Sequence, residues 1–247
     1  MKFELLNLHV NGMKDFSEFE KRIGVEFNDK NLLKQAFIHR SYLNENPGLG
    51  LSHNERLEFL GDAVLELVTT DYLYRTYTDK TEGELTAYRA ALVNTISISK
   101  AAVAIGANEF LLLSKGESKD TGKARQYILA NTYESIIGAI FLDLGYEASA
   151  KFIAETLLPY LTEIISNRLW QDAKSYFQER SQEYVGVTPS YSVLEEEGPD
   201  HEKHFTVGIF LRDELVARGE GESKQEAEQE AARNALLEKG WNGHDIA

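Results

Sequence analysis

The chain is expected to be mostly α-helical, with a larger all-helical module followed by a smaller α+β module of order α-β-β-β-α. Three observations predict this. Apolar residues recur at helical spacing across residues 15–168. After Trp170 the period changes, and short alternating segments bounded by turn residues read as strands. Two segments of the first module, around 55–68 and 128–142, are almost wholly apolar apart from a few carboxylate and amide side chains at helical offsets.

In order, helical spacing predicts helices over Phe16–Ile23, Leu32–Leu43, Asn54–Tyr77, Glu82–Gly106, Tyr127–Leu144 and Ala148–Arg168. Turn signals at 47–50 (Pro-Gly-Leu-Gly), Gly83 and Gly145 punctuate them, and residues 114–123 read as a mobile loop. The second module is expected to place a helix at Ala173–Tyr184, strands at Ser190–Glu196, His204–Leu211 and Leu215–Glu222, and a last helix at Ser223–Glu238. No Gly/Ser- or Pro-rich linker separates the modules. The expected boundaries are 13–168 and 172–241, preceded by an extension, 1–12. Beyond the acidic run Glu195–Glu197 there is no low-complexity segment.

The candidate chemistry lies in the two polar-interrupted helices. Glu55, Glu58 and Asp62 follow one another at offsets of three and four, which stacks them on one helical face. Asn131 and Glu134 stand three apart on the other helix. Buried carboxylates must neutralise, pair or coordinate a metal, and clustered oxygen donors suit a hard cation such as Mg²⁺ or Mn²⁺. If the helices pack together, Glu58, Asp62, Asn131 and Glu134 could serve one ion, with Gly61 and Gly138 permitting a close crossing. Spacing alone leaves the alternative of an ordinary solvated acidic face open.

The strings HNERLEFLGDAVLE (53–66) and ILANTYESIIGAIFLD (128–143) resemble the two catalytic segments of bacterial ribonuclease III. AFIHRSYLNE (36–45) and EGELTAYRAALVN (82–94) resemble flanking helices of the same family, while GPDHEKHFTVGIF (198–210) and GESKQEAEQEAARNALL (221–237) resemble parts of a double-stranded RNA-binding domain. The resemblance covers residues 13 to 240. It implies an endoribonuclease that hydrolyses double-stranded RNA, leaving 5′-phosphate and 3′-hydroxyl ends with two-nucleotide 3′ overhangs, in the processing of ribosomal RNA precursors and structured messages.

By that resemblance Asp62 and Glu134 are catalytic, and Glu58, Asp62, Asn131 and Glu134 hold Mg²⁺, with Mn²⁺ able to substitute. Glu55 and Glu82 match further acidic positions, for a second ion or for aligning RNA; ion pairs to Arg56 or Arg89, or plain exposure, account for them equally well. Asn131 departs from the Asp familiar at its position, which removes one negative charge from the donor set. Phe59 is implied to insert into a partner subunit of a homodimer, against the alternative of a core Phe within one subunit. In the second module Gln178, Glu179 and Gln182 on the first helix, and His201 in a loop, are implied to face successive minor grooves of duplex RNA. Lys224 at the start of the last helix is implied to meet phosphate; the residue after it is Gln225 where the family often has a second base.

Composition bounds these readings. The 26 Lys and Arg against 40 Asp and Glu give a net charge of −14, which runs against a nucleic-acid partner, since phosphate binders are usually basic. Residues 172–241 alone carry eight Lys or Arg and sixteen Asp or Glu, a balance of −8, so modest RNA affinity is expected. The absence of cysteine excludes disulfides and thiolate metal sites. No apolar run reaches membrane-spanning length, and the cytoplasm is the expected compartment. Two other classes are set beside the enzyme: a noncatalytic double-stranded RNA-binding protein of the same fold, marked by loss of acidic residues, and a helical interaction module, against which the second domain argues.

Overall fold

The computed structural model describes residues 14–199 and 203–241. The chain divides between Arg168 and Leu169 into two compact units. The first is helical: α1 (Phe16–Ile23), α2 (Lys30–Ala36), α3 (Arg40–Glu45), α4 (Glu55–Thr76), α5 (Glu82–Leu92), α6 (Thr95–Ala104), α7 (Lys123–Leu144), α8 (Tyr146–Thr156) and α9 (Tyr160–Ser166). The second comprises α10 (Ala173–Val185), β1 (Ser190–Glu197), β2 (His204–Leu211), β3 (Glu214–Gly221) and α11 (Lys224–Glu238).

Three expected helices are each two shorter ones, and each break has a local cause. Between α2 and α3 the backbone of 37–39 is captured by another segment: Leu112 donates its N–H to the Phe37 carbonyl at 2.9 Å, and His39 donates to the Leu112 carbonyl at 3.1 Å. His39 then caps α3, its Nδ1 accepting from the Ser41 N–H. Between α5 and α6, Asn94 takes extended geometry and caps α6 by accepting from the Ser97 N–H, so the side chain competes with helix continuation. Between α8 and α9 stands Pro159, which cannot donate to a preceding turn and opens the next helix instead. Within the expected loop at 114–123, residues Glu117–Lys119 form a short 3₁₀ turn.

The two long helices, α4 and α7, form the most extensive helix pair of the first unit. Their crossing is set by two glycines. A Cβ at Gly61 would lie 1.7 Å from the Glu134 carbonyl oxygen, and one at Gly138 would lie 2.2 Å from that of Leu57, so the two backbones are in direct contact. Leu57, Val64, Leu65 and Val68 of α4 and Ile136, Ile137, Ala139 and Ile140 of α7 are buried around this crossing. At one end, Phe16, Phe19, Phe37 and Phe110 stack with ring centroids 4.8–6.0 Å apart and fasten α1 and α2 to the body.

In the second unit β1, β2 and β3 form an antiparallel sheet in that order, with a bulge between Val193 and Glu195. Helices α10 and α11 cover one face. Phe177, Ile209, Ala231, Ala232 and Ala235 are buried in its core. Gly219 lets α11 lie on β3: a Cβ there would stand 2.0 Å from the Ala231 nitrogen.

Candidate active site and RNA-binding surface

Because Gly61 and Gly138 bring the backbones of α4 and α7 together, the carboxylates that flank Gly61 on α4 couple electrostatically with Glu134, one turn before Gly138 on α7. Glu58 and Asp62 come from α4, Asn131 and Glu134 from α7. Burial, followed by the negative charges of Asp62 and Glu58, pushes the Glu134 carboxyl up to about 8. Glu58 is raised by burial first and then by Glu55 and Asp62, while a hydrogen bond from the Asn131 side chain acts in the opposite direction. Neither carboxyl has a Lys or Arg among the charges acting on it. The cluster is therefore one of mutually repelling oxygens with no cationic partner among the described residues, and an all-oxygen donor set of this kind fits a hard divalent ion.

Among the described residues no three His, Asp or Glu side chains are already gathered tightly enough to grip an ion. This and the charge coupling above describe the same arrangement. The fourth donor here is an amide rather than an acid, and Glu58, Asp62 and Glu134 are related by charge coupling without forming a closed ligand set.

The supporting contacts are ones the sequence pattern did not reveal. Asn54, immediately before α4, is buried; its backbone N–H donates to the Ile38 carbonyl at 2.9 Å and its side-chain amide to the Ala36 carbonyl at 3.2 Å. The Ser135 hydroxyl sits 3.3 Å from the Asn54 carbonyl and 2.7 Å from that of Asn131. These bonds fasten the start of α4 to both α2 and α7. The only advance signal was a polar residue at a helix start.

Glu55 lies at the rim, with Arg40 Nη1 and His53 Nδ1 each 3.7 Å from its carboxylate. Its partners are thus not Arg56 or Arg89; Arg89 instead joins Glu66 at 2.9 Å. Glu82 is exposed at the start of α5 and is not among the charges that raise Glu58 and Glu134. Phe59 is 82% exposed, which excludes the core alternative within one subunit. Leu67 and Tyr74, also exposed, continue its stripe along α4.

In the second unit Gln178, Glu179 and Gln182 are exposed on α10, and Gln182 donates to Thr188 Oγ1 at 2.8 Å. His201 lies outside the described residues. Lys224 is exposed at the first position of α11, after the capping residue Ser223. A cation there opposes the helix dipole, and the Glu226 N–H in the same turn is already capped by the Ser223 hydroxyl.

Comparison with known proteins places both units. Residues 29–161 match the family described as Ribonuclease-III-like, and residues 173–239 match the double-stranded RNA binding motif. Ribonuclease 3 of Carboxydothermus hydrogenoformans is 46% identical over 217 residues, covering 88% of this chain and 92% of the relative. Ribonuclease 3 of Desulforamulus reducens is 40% identical over 234 residues, covering 94% and 95%. The solved nuclease domain of ribonuclease III from Campylobacter jejuni, described for flexibility in a region involved in dimer formation, superposes with a TM-score of 0.54 at 39% identity. It accounts for 59% of this chain and 97% of that one.

Proposed function

Since the chain belongs to the ribonuclease III family, we propose that it cleaves double-stranded RNA with a divalent metal held by Glu58, Asp62 and Glu134, with Asn131 beside them. The observation that supports this reading is the charge coupling of Glu58, Asp62 and Glu134 across the glycine crossing of α4 and α7, with no Lys or Arg among the charges acting on Glu58 or Glu134. When bound, Mg²⁺ supplies an activated water and neutralises charge that develops at the scissile phosphate.

The chain's own residues do the rest. Asn131 orients the Glu58 carboxylate by donating to it, and the bonds from Asn54 and Ser135 hold both helices in one geometry. Asp62, more exposed than Glu58 and Glu134, stands toward the solvent side, where a phosphodiester can approach. Hydrolysis with the 3′-oxygen as leaving group leaves 5′-phosphate and 3′-hydroxyl ends.

The second unit holds the duplex through Gln178, Glu179, Gln182 and His201 at minor grooves and Lys224 at phosphate. Glu55 and Glu82 align RNA or support a second ion at the edge of the cluster. Two subunits, joined through Phe59, cut the two strands and leave two-nucleotide 3′ overhangs. The reaction belongs to RNA maturation in the cytoplasm.

The test is incubation with a long, fully paired RNA in Mg²⁺, beside Ca²⁺, EDTA and Glu134→Ala controls. Mg²⁺-dependent short duplexes with 5′-phosphates and the two-nucleotide overhang, absent in the variant, are expected. Tight binding without cleavage even in Mn²⁺ would instead make it a noncatalytic binder of the same fold, a reading that the uncharged Asn131 keeps worth testing.

A further inference from the structure

The acidic run Glu195–Glu197 has no place in the chemistry above, and its middle residue differs from its neighbours. Strand side chains alternate between faces. Glu196 is the cross-strand partner of Phe205, which is buried beneath the helices, so it lies on the face covered by α11; Glu195 and Glu197 fall on the other. On that face it meets cations. Lys203 Nζ is 2.5 Å from Glu196 Oε1. Lys224 Nζ sits over the ring of Phe205, the cross-strand partner of Glu196, 5.5 Å from its centre; it is not at ion-pair distance from Glu196 and acts on that carboxylate through its charge alone. The hydrogen bond from Lys203, and more weakly the charges of Lys203 and Lys224, hold the Glu196 carboxyl below its usual range.

The Glu196 carboxylate gives Lys203 an acceptor oxygen of the kind a phosphate offers and sets a negative charge in the field of Lys224. We propose that Glu196 acts as an internal surrogate for an RNA phosphate, pairing with Lys203 and offsetting the charge of Lys224 at longer range in the free protein, so that duplex RNA must compete with it. The inference rests on the reading of the second unit as an RNA binder. An exposed ion pair contributes little to folding, so its larger consequence is for a ligand that needs the same cations. In a module of net charge −8 this placement lowers affinity selectively at the lysine positioned for phosphate.

The experiment is fluorescence anisotropy of the full-length chain with a labelled RNA duplex in EDTA, across a salt series. Glu196→Gln is expected to tighten binding about three- to tenfold at low salt and to steepen the salt slope by roughly one, the signature of one additional cation available to phosphate. Glu195→Gln, the same charge change on the opposite face, should give less than half of that gain. Glu196→Asp keeps the net charge but shortens the reach to Lys203, and should fall between wild type and Glu196→Gln. In a Lys224→Ala background most of the gain should vanish. Equal effects of Glu195→Gln and Glu196→Gln would overturn the proposal, reducing it to net charge. So would weaker binding by Glu196→Gln with unchanged melting, which would make the ion pair an organiser of the hairpin. No binding by the wild-type chain would overturn this inference and the RNA-binding reading together.

Discussion

Asn131 is the uncharged donor at the α4–α7 crossing, and its amide is spent on Glu58 rather than opposed to it. Replacing it with Asp would add a fourth carboxylate to a cluster already short of positive charge. Asn131→Asp is therefore expected to lower the Mg²⁺ concentration for half-maximal cleavage about three- to tenfold, by strengthening the oxygen donor set. It should also lower the melting temperature in EDTA, because the added repulsion is then uncompensated. A metal titration of cleavage and a melt in EDTA check the two effects separately. Glu134 supplies a second expectation at this scale. Its folded carboxyl value of about 8 lies above the ordinary 4.5, so between those values the folded chain binds more protons than the unfolded one. Stability from this group is thus complete below about pH 4.5 and is lost as pH rises toward 8. Denaturant midpoints measured in EDTA should fall across that window, and Mg²⁺ should flatten the fall. The polar residues at helical offsets were readable in the sequence because a carboxylate in an apolar stripe stands out. Asn54 and Ser135 were not, since a polar residue at a helix start or among small residues looks ordinary until its partners, distant in sequence, are known.

Among the elements, α4 was legible end to end and α7 all but its first turn: it begins at Lys123, four residues before the expected Tyr127, where residues 123–126 carry no apolar period. The paired helices α2 and α3, α5 and α6, and α8 and α9 were each read as one. In two of the three cases the apolar period runs on through a break made by something it does not record: the Leu112 backbone at 37–39 and the Asn94 cap. Pro159 was visible, and the proximity of apolar residues on both sides concealed its effect. The glycine crossing gives this scale its test. Gly61→Ala would place a methyl group 1.7 Å from the Glu134 carbonyl oxygen, against backbone that cannot rotate away. Forced separation of the helices should cost about 3 kcal/mol or more, as overpacking of a tight core does, and should reduce cleavage beyond what lost stability explains, because Glu58 and Glu134 move apart. Urea unfolding beside single-turnover cleavage resolves the two. Gly24→Ala at the end of α1, where an added Cβ meets nothing but φ is +66°, should cost only about 1 kcal/mol and leave cleavage intact.

For the molecule as a whole, the α+β order of the second unit and the helical first unit were both evident from period alone, and the two compact units part between Arg168 and Leu169. What period could not distinguish was a buried Phe59 from an exposed one. Its 82% exposure, continued by Leu67 and Tyr74, leaves an apolar stripe on α4 beside the acidic cluster. Phe59→Ala is expected to raise the dimer dissociation constant at least tenfold, in line with loss of an aromatic anchor, while the circular dichroism spectrum stays unchanged. Sedimentation velocity over a dilution series reads this directly; a sedimentation profile matching wild type at every concentration would remove Phe59 from the subunit contact.

Where Gly61 and Gly138 meet, main chain abuts main chain, and no side chain sets the separation. Such a joint has no adjustable part. Substitutions on the exposed faces of α4 and α7 leave this main-chain contact in place, whereas a Cβ at either glycine would drive the helices apart. The spacing of the groups proposed to hold the metal is thereby insulated from changes on the surrounding surface.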